Sequence, residues 1–287
     1  MNGRAVFAVA AIAMLAPVLA GCSKAKNTAA VLKSNREVPK ALPMSATGTS
    51  RDVTITVPDT VTPGLTRVDF GNNALGQHAL QFIRVDKGHT PQEALPIVLA
   101  WAKKGQPLAD WIHAAGGTPI TEPRDKSITT QNMELGSYFV IDTALKGQPK
   151  IEATFRVLGD REDTPPNAKA QIEAYEYGFR STGLEHGKTE VLIKNTGKQP
   201  HFVEAVRIKP GKTIDDVKAY FKARSRSGPP PLDEKTVSAS AVQDGGTSQV
   251  TTLNFKKGNY ALLCFVPDRK GGPPDAFKGM VAGVQIR

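Results

Sequence analysis

The chain has 287 residues, a formal net charge of +10, and 40% hydrophobic against 22% charged residues, so it can bury a core and is not disordered throughout. Two cysteines rule out a disulfide-stapled scaffold and any cysteine-rich zinc or iron–sulfur site, and five histidines argue against an enzyme with several histidine-rich metal centres. With 26 glycines, 21 prolines and only 6% aromatics, many turns and short elements are expected rather than long helices.

Arg4 supplies a short basic start, and Ala5 to Leu19 then run without a charge. That is long enough for a secretory apolar region and short of a membrane span. The run ends in Leu19-Ala20-Gly21-Cys22, which resembles the lipobox of bacterial lipoproteins. The resemblance implies that residues 1–21 are a cleaved signal peptide and that the thiol of Cys22 is the lipidated atom. Each acyl CH₂ buried in the bilayer contributes about 0.8 kcal/mol, so two or more chains anchor stably. The expected location is therefore the bacterial cell envelope, on the periplasmic or extracellular face of a membrane. Residues 22–50 carry Lys, Asn, Ser, Thr and Pro without periodicity and are expected to form a flexible tether. Basic residues are spread along the chain apart from Lys222-Ala223-Arg224-Ser225-Arg226. The expected partner of such a solvated basic surface is anionic lipid, envelope polymer or an envelope protein, not nucleic acid.

The elements then follow in order. Val53-Thr54-Ile55-Thr56-Val57 alternates as a strand, and so does Val68 to Phe70. After His78 a strand runs to the turn at Gly88. Thr90-Pro91-Gln92-Glu93 has an N-cap Thr, Pro at the first helical position and Glu three after the cap, which opens a helix that Gly105 stops. Trp101 lies on the packed face of that helix. A polar stretch with Gly116-Gly117-Thr118 comes next, then a strand opening Gly136-Ser137-Tyr138, then Phe155-Arg156-Val157 to close.

The same grammar returns further on. Asn72, His78, Arg84, Gly88 and Thr90 match Asn195, His201, Arg207, Gly211 and Thr213 at one offset of 123. Glu190 to Lys194 reads as a strand, Thr213-Ile214-Asp215-Asp216 repeats the helix start, and Gly228 is the expected stop. Gly245-Gly246-Thr247 is aligned with Gly116-Gly117-Thr118, and Gly258-Asn259-Tyr260 with Gly136-Ser137-Tyr138. The chain is read as two copies of one domain, at 51–160 and 161–287, separated near Thr164-Pro165-Pro166. The expected fold is mainly β: two tandem Greek-key β-sandwiches, each with a short helical insertion.

Tyr260-Ala-Leu-Leu-Cys264-Phe-Val-Pro267, then a Gly/Pro loop, then Phe277-Lys-Gly279-Met280, together with Asn195-Thr-Gly-x-x-x-His201, resembles the cupredoxin family, the blue-copper fold. In that family a histidine after an Asn turn, a cysteine ending the penultimate strand, a loop histidine and a methionine hold copper, which favours imidazole and thiolate with a weak axial thioether. The resemblance places His201, Cys264 and Met280 in three of those positions. The loop between Cys264 and Met280 has no histidine. Asp275 stands nearest the vacant place, with Asp268 a poorer candidate. Read from the residues alone, Cys264 can equally be a small buried hydrophobe and His201 can simply bond loop carbonyls. Leu262, Cys264 and Val266 share one face, as do Met280, Ala282, Val284 and Ile286, so both sulfurs point to a core with or without a metal. In the first copy Asp142 stands where Cys264 stands in the second, and only His78 remains of the ligand pattern.

Oxidase-type catalysis on two such domains needs additional His-x-His pairs, and the chain has none; it also lacks hydrolase, Walker and His-Glu-x-x-His motifs. The expected function is a non-catalytic, membrane-anchored envelope module of cupredoxin-like fold, with copper an open expectation in the second domain. The alternative is a copper redox or copper-handling protein using His201, Cys264, Asp275 and Met280.

Overall fold

The computed structural model describes residues 39–49, 52–145, 149–160, 164–223 and 228–287. The stretch 1–21 expected to be a signal peptide, Cys22, the expected tether as far as residue 38, and Arg224 and Arg226 of the basic cluster lie outside the described residues.

The first copy runs β1 (Lys40–Gly48), β2 (Val53–Thr56), β3 (Thr60–Val61), β4 (Gly64–Asn72), β5 (Leu80–Val85), α1 (Pro91–Lys104), β6 (Ile112–Gly117), β7 (Lys126–Met133), β8 (Gly136–Asp142) and β9 (Ala153–Val157). The second runs β10 (Ala170–Tyr175), β11 (Gly178–Thr182), β12 (Gly187–Asn195), β13 (Glu204–Ile208), α2 (Ile214–Lys222), β14 (Leu232–Ala239), β15 (Ser248–Phe255), β16 (Gly258–Leu263), a 3-10 turn (Asp275–Lys278) and β17 (Val281–Ile286). The expected pair of mainly-β sandwiches, with a helix inserted in each, is what forms. Each copy crosses repeatedly between its two sheets, which gives the Greek-key character.

One eight-stranded sheet, in the order β11-β10-β12-β15-β7-β4-β1-β2, serves both sandwiches. The second layers are separate: β3-β9-β8-β5-β6 in the first copy and β14-β13-β16-β17 in the second. Leu42, Met44, Val68 and Phe70 from the shared sheet pack on Phe82, Val140 and Phe155 to make the first core. A second cluster joins Ile172, Val191, Leu262, Cys264 and Met280 to Val98, Trp101 and Ile112 of the first copy, so the core is continuous between the copies.

The seam is itself symmetric. In the antiparallel pairing of β7 with β15, Thr129 faces Thr251, its own counterpart at an offset of 122, with the hydroxyl oxygens 3.3 Å apart. A pseudo-twofold axis therefore passes between these two residues. The helix starts repeat as well. Thr90 and Thr213 each accept the N–H of the third helical residue, and Glu93 and Asp216 each bond back to the cap N–H.

Several sequence expectations need correction. Lys40–Gly48 falls in the stretch read as tether but is strand β1, parallel to β4 and burying Leu42, Met44 and Ala46. Its Pro43 lies on the segment paired with β4 alone, since β2 pairs only from Ser45 onward. The two polar stretches contain β6 and β7, and β14 and β15, and in β7 and β15 several buried residues are themselves polar. Ser127, Thr129, Gln131, Gln249 and Thr251 are all buried at the seam. The Gly-Gly-Thr correspondence is false: Gly116 and Gly117 end β6, whereas Gly245 and Gly246 precede β15. The true counterpart of Gly246 (φ 80°) is Arg124 (φ 65°), the one described non-glycine residue in the left-handed region. Gly105 does cap α1 in that region, but α2 ends at Lys222 with Ala223 as its cap, before Gly228.

Candidate metal centre

Four segments of the second copy bring the donors together at one end of the sandwich. His201 precedes β13, Cys264 follows β16 directly, Asp275 opens the 3-10 turn and Met280 leads into β17. The turn before His201 is braced by Asn195, whose Nδ2 donates to the carbonyls of Gln199 (2.8 Å) and Gln243 (2.9 Å) and whose Oδ1 accepts from Gly197 N–H. Asn72 makes the same three bonds in the first copy, to Gly76, Thr121 and Ala74. His201 then exchanges both backbone bonds with Gln243 at 2.9 Å, which fixes where its ring projects. On the other side, Ala276 N–H donates to Cys264 O, Asp275 N–H to Val266 O, and Met280 N–H to Asp275 O. The end of β16 and the 3-10 turn are thereby locked as one piece.

The side chains converge within these braces. His201 Nδ1 lies 3.1 Å from Asp275 Oδ2, and Cys264 Sγ lies 3.8 Å from His201 Nδ1 and 3.7 Å from Asp275 Oδ2. Cys264, Asp275 and Met280 are 0% exposed and His201 1%. Among the described residues, His201, Cys264 and Asp275 form the one group of three such side chains close enough to share an ion. An ion about 2.0–2.3 Å from each of three coplanar donors would set those donors about 3.5–3.9 Å apart. Two of the observed separations match and the third is short by less than half an ångström, so the donor set fits a single small transition-metal ion. Its chemistry fits copper: one imidazole and one thiolate, with a harder carboxylate in the third place and a thioether in the same buried cluster.

Charge is arranged around this set. Lys278 Nζ bonds Asp275 Oδ1 at 2.9 Å, leaving Oδ2 to the donor cluster, and also bonds Asp268 Oδ2 at 2.7 Å. Burial, reinforced by the Asp275 carboxylate, pushes the Cys264 thiol well above its ordinary range, so it is protonated without a metal and must lose that proton to bind one. Asp268 stands outside the donor set, held by Lys278 and by the Tyr177 hydroxyl at 2.9 Å. Two neighbours of the centre carried no signal in the reading of the sequence. Lys278 was detectable in principle, three residues after Asp275 at helical spacing. Glu176, whose Oε1 lies 3.5 Å from His201 Nε2, has no motif that announces it.

Among the described residues, the first copy holds no such group. His78 Nδ1 pairs with Asp142 Oδ2, both wholly buried, and Asp142 Oδ1 accepts from Ala79 N–H at 3.1 Å and Ala144 N–H at 2.9 Å. Of the remaining histidines, His186 is exposed against the Arg287 carbonyl, His89 stacks on Trp111 at 3.9 Å, and His113 sits between Asp86 and Asp244.

The first copy nonetheless reaches the ligand loop. Trp101 Nε1 donates to Asp268 O, Leu108 N–H to Arg269 O, and Gly272 N–H to Gly105 O. In return the Arg269 guanidinium donates to the carbonyls of Ala109 (2.9 Å) and Ile112 (2.6 Å) and to Asp244 Oδ1 (2.9 Å).

No protein-family model matches the chain, and no curated protein matches it. Among solved structures it is similar to auracyanin from the photosynthetic bacterium Roseiflexus castenholzii, with 20% identity over 42% of this chain and 99% of that one and a TM-score of 0.25. It is also similar to a multicopper oxidase, with 12% identity over 86% and 88% of the two chains and a TM-score of 0.21. A third is the Cu-containing nitrite reductase from Thermus scotoductus SA-01, with 9% identity, 86% and 61% coverage and a TM-score of 0.21. Likenesses of this degree carry no argument about function, for which the donor geometry has to speak.

Proposed function

We propose that the chain is a non-catalytic, lipid-anchored envelope protein whose second sandwich binds one copper ion through His201, Cys264 and Asp275, with Met280 beside them. The observation that carries this reading is the mutual approach of three chemically different donor atoms, at 3.1, 3.7 and 3.8 Å, in a site closed to water. Copper supplies one-electron exchange when bound. Cys264 gives the thiolate, His201 Nδ1 the imidazole nitrogen, and Asp275 Oδ2 a carboxylate oxygen, its other oxygen being held by Lys278. Two anionic donors favour Cu(II) over Cu(I) relative to a set with two imidazoles. The anchor at Cys22 and a basic surface toward anionic lipid or envelope polymer are part of the same proposal, supported by the lipobox resemblance and the net charge of +10.

The competing reading is a binding or structural module without metal, in which the same three side chains satisfy one another by hydrogen bonding. Titrating the detergent-solubilised full chain with Cu(II) separates the two. The copper reading expects an intense thiolate-to-Cu(II) charge-transfer band that Cys264→Ser abolishes. No band, together with no tight Cu(I) binding, leaves the metal-free module.

A further inference from the structure

Glu176 sits at the tip of the β10–β11 hairpin, beside the exposed Tyr177. Its Oε1 accepts the backbone N–H of Gln199 at 2.7 Å and of Lys198 at 2.5 Å, both in the loop that carries His201. The same oxygen stands 3.5 Å from His201 Nε2, a buried nitrogen with no hydrogen-bond partner. The hairpin tip is tied to the centre a second way. The Tyr177 hydroxyl donates to Asp268, and Lys278 Nζ lies 4.9 Å above the Tyr177 ring while bonding Asp275.

A neutral imidazole ligand must carry its proton on one nitrogen and offer the lone pair of the other, and the group facing the protonated nitrogen decides which is which. We infer that Glu176 is the positioning residue of the metal centre: its carboxylate favours the His201 proton on Nε2 against the competing pull of Asp275 Oδ2 at Nδ1, and so makes the Nδ1 lone pair available toward Cys264 and Asp275. The inference rests on the copper reading for its consequence and on the hairpin geometry for its cause. It assigns the β10–β11 hairpin, 25 residues upstream of the first ligand, to the working centre.

Glu176→Gln is the informative variant, because its carboxamide oxygen still accepts the two backbone N–H groups while the anion is lost. Copper affinity measured by competition with a chromogenic chelator is expected to fall about 10–100-fold, with the melting temperature of the metal-free protein unchanged. Side-chain ¹⁵N spectra of the metal-free protein at neutral pH should show a fraction of His201 protonated at Nε2 that falls in Glu176→Gln, with the remainder protonated at Nδ1 toward Asp275. An affinity within about twofold of wild type overturns the inference, and so does an Nε2-protonated fraction that the variant leaves unchanged. A wild type that binds no copper yet shows the Glu176-dependent Nε2 proton would refute the copper reading and leave the positioning role standing.

Discussion

Replacing Asp275 by Asn tests the centre both empty and loaded. The carboxylate is wholly buried, with Oδ1 on Lys278 Nζ at 2.9 Å and Oδ2 at 3.1 Å from His201 Nδ1. The amide keeps the shape but must turn its NH₂ either to the ammonium of Lys278 or to the imidazole and thiol. Removing one partner of a buried ion pair costs about 3–5 kcal/mol. Lys278 is 18% exposed and retains Asp268 at 2.7 Å, so solvent and the second carboxylate reduce the expected loss to about 1–3 kcal/mol. At roughly 2–4 °C per kcal/mol for chains of this size, the metal-free melting temperature should fall by about 2–12 °C. Copper acts in the opposite direction: at a thousandfold excess over Kd it stabilises the wild type by about 4 kcal/mol. The Asn variant has lost an anionic donor and should show a smaller rise. Calorimetry of both proteins, with a chelator and with copper, reads the two effects separately. An unchanged metal-free melting point together with an unchanged copper-induced rise would refute Asp275 as both buried anion and ligand.

Two further outcomes concern the junction between the copies. The hydrogen bond to Asp244 raises the pKa of His113 above 6.5, against its burial and with help from Asp86. A raised folded value means that its stabilisation is complete below pH 6.5 and is lost as pH rises through the folded value. Urea unfolding should therefore show stability falling above about pH 6.5, and His113→Gln should flatten that slope; an equally steep slope in the variant removes His113 as its origin. Gly105 has φ 62°, and a Cβ there would strike the carbonyl oxygen of Gly272 on the ligand loop. Gly105→Ala should cost about 2–4 kcal/mol and weaken copper binding, as measured by denaturant midpoint and metal competition; a variant as stable as wild type would show that the loop contact is slack.

The repeat was legible because its marker residues do local jobs that few other residues can do. Asn72 and Asn195 each tie three backbone groups, and the hydroxyls of Tyr138 and Tyr260 each accept a backbone N–H four residues upstream, from Glu134 and Lys256. His201 and Cys264 were placed by their resemblance to a ligand pattern, and Asp275 as the residue nearest its vacant place; the structure brings the donor atoms of all three together. Strands β6, β7, β14 and β15 were not legible. In β7 and β15 the buried positions include Thr129, Gln131, Gln249 and Thr251, so alternation of burial left no alternation of polarity to read, while β6 and β14 bury only Ile112, Ala114, Leu232 and Ala239 besides glycine, too few apolar residues to mark a strand. Glu176 was invisible for a different reason. Its partner is a ring nitrogen reached only when the β10–β11 hairpin folds over the loop, and nothing local to residue 176 encodes that approach.

In the first copy an acid stands where the second has Cys264, and it pairs directly with the histidine. A buried carboxylate has more acceptor sites than a thiolate has, and Asp142 fills them with the His78 ring on one oxygen and two backbone N–H groups on the other. The pairing occupies both carboxylate oxygens while His78 Nε2 stays buried without a partner, and among the described residues no further donor approaches closely enough to share an ion. What distinguishes this copy instead is its helix, 14 residues against the 9 of α2. Counting from the matched caps Thr90 and Thr213, the counterpart of Trp101 falls past the last residue of α2. Trp101 and Gly105 therefore belong to the extension, and these are the residues that grip Asp268 and Gly272 in the ligand loop of the other copy. The two copies thus differ in two places: in the first, His78 and Asp142 pair directly, and its longer helix, together with the segment from Leu108 to Ile112, holds the loop that carries Asp268, Arg269 and Gly272 in the second. Bracing that loop from the first sandwich adds a restraint on the segment between Cys264 and Asp275 that the second sandwich does not supply by itself.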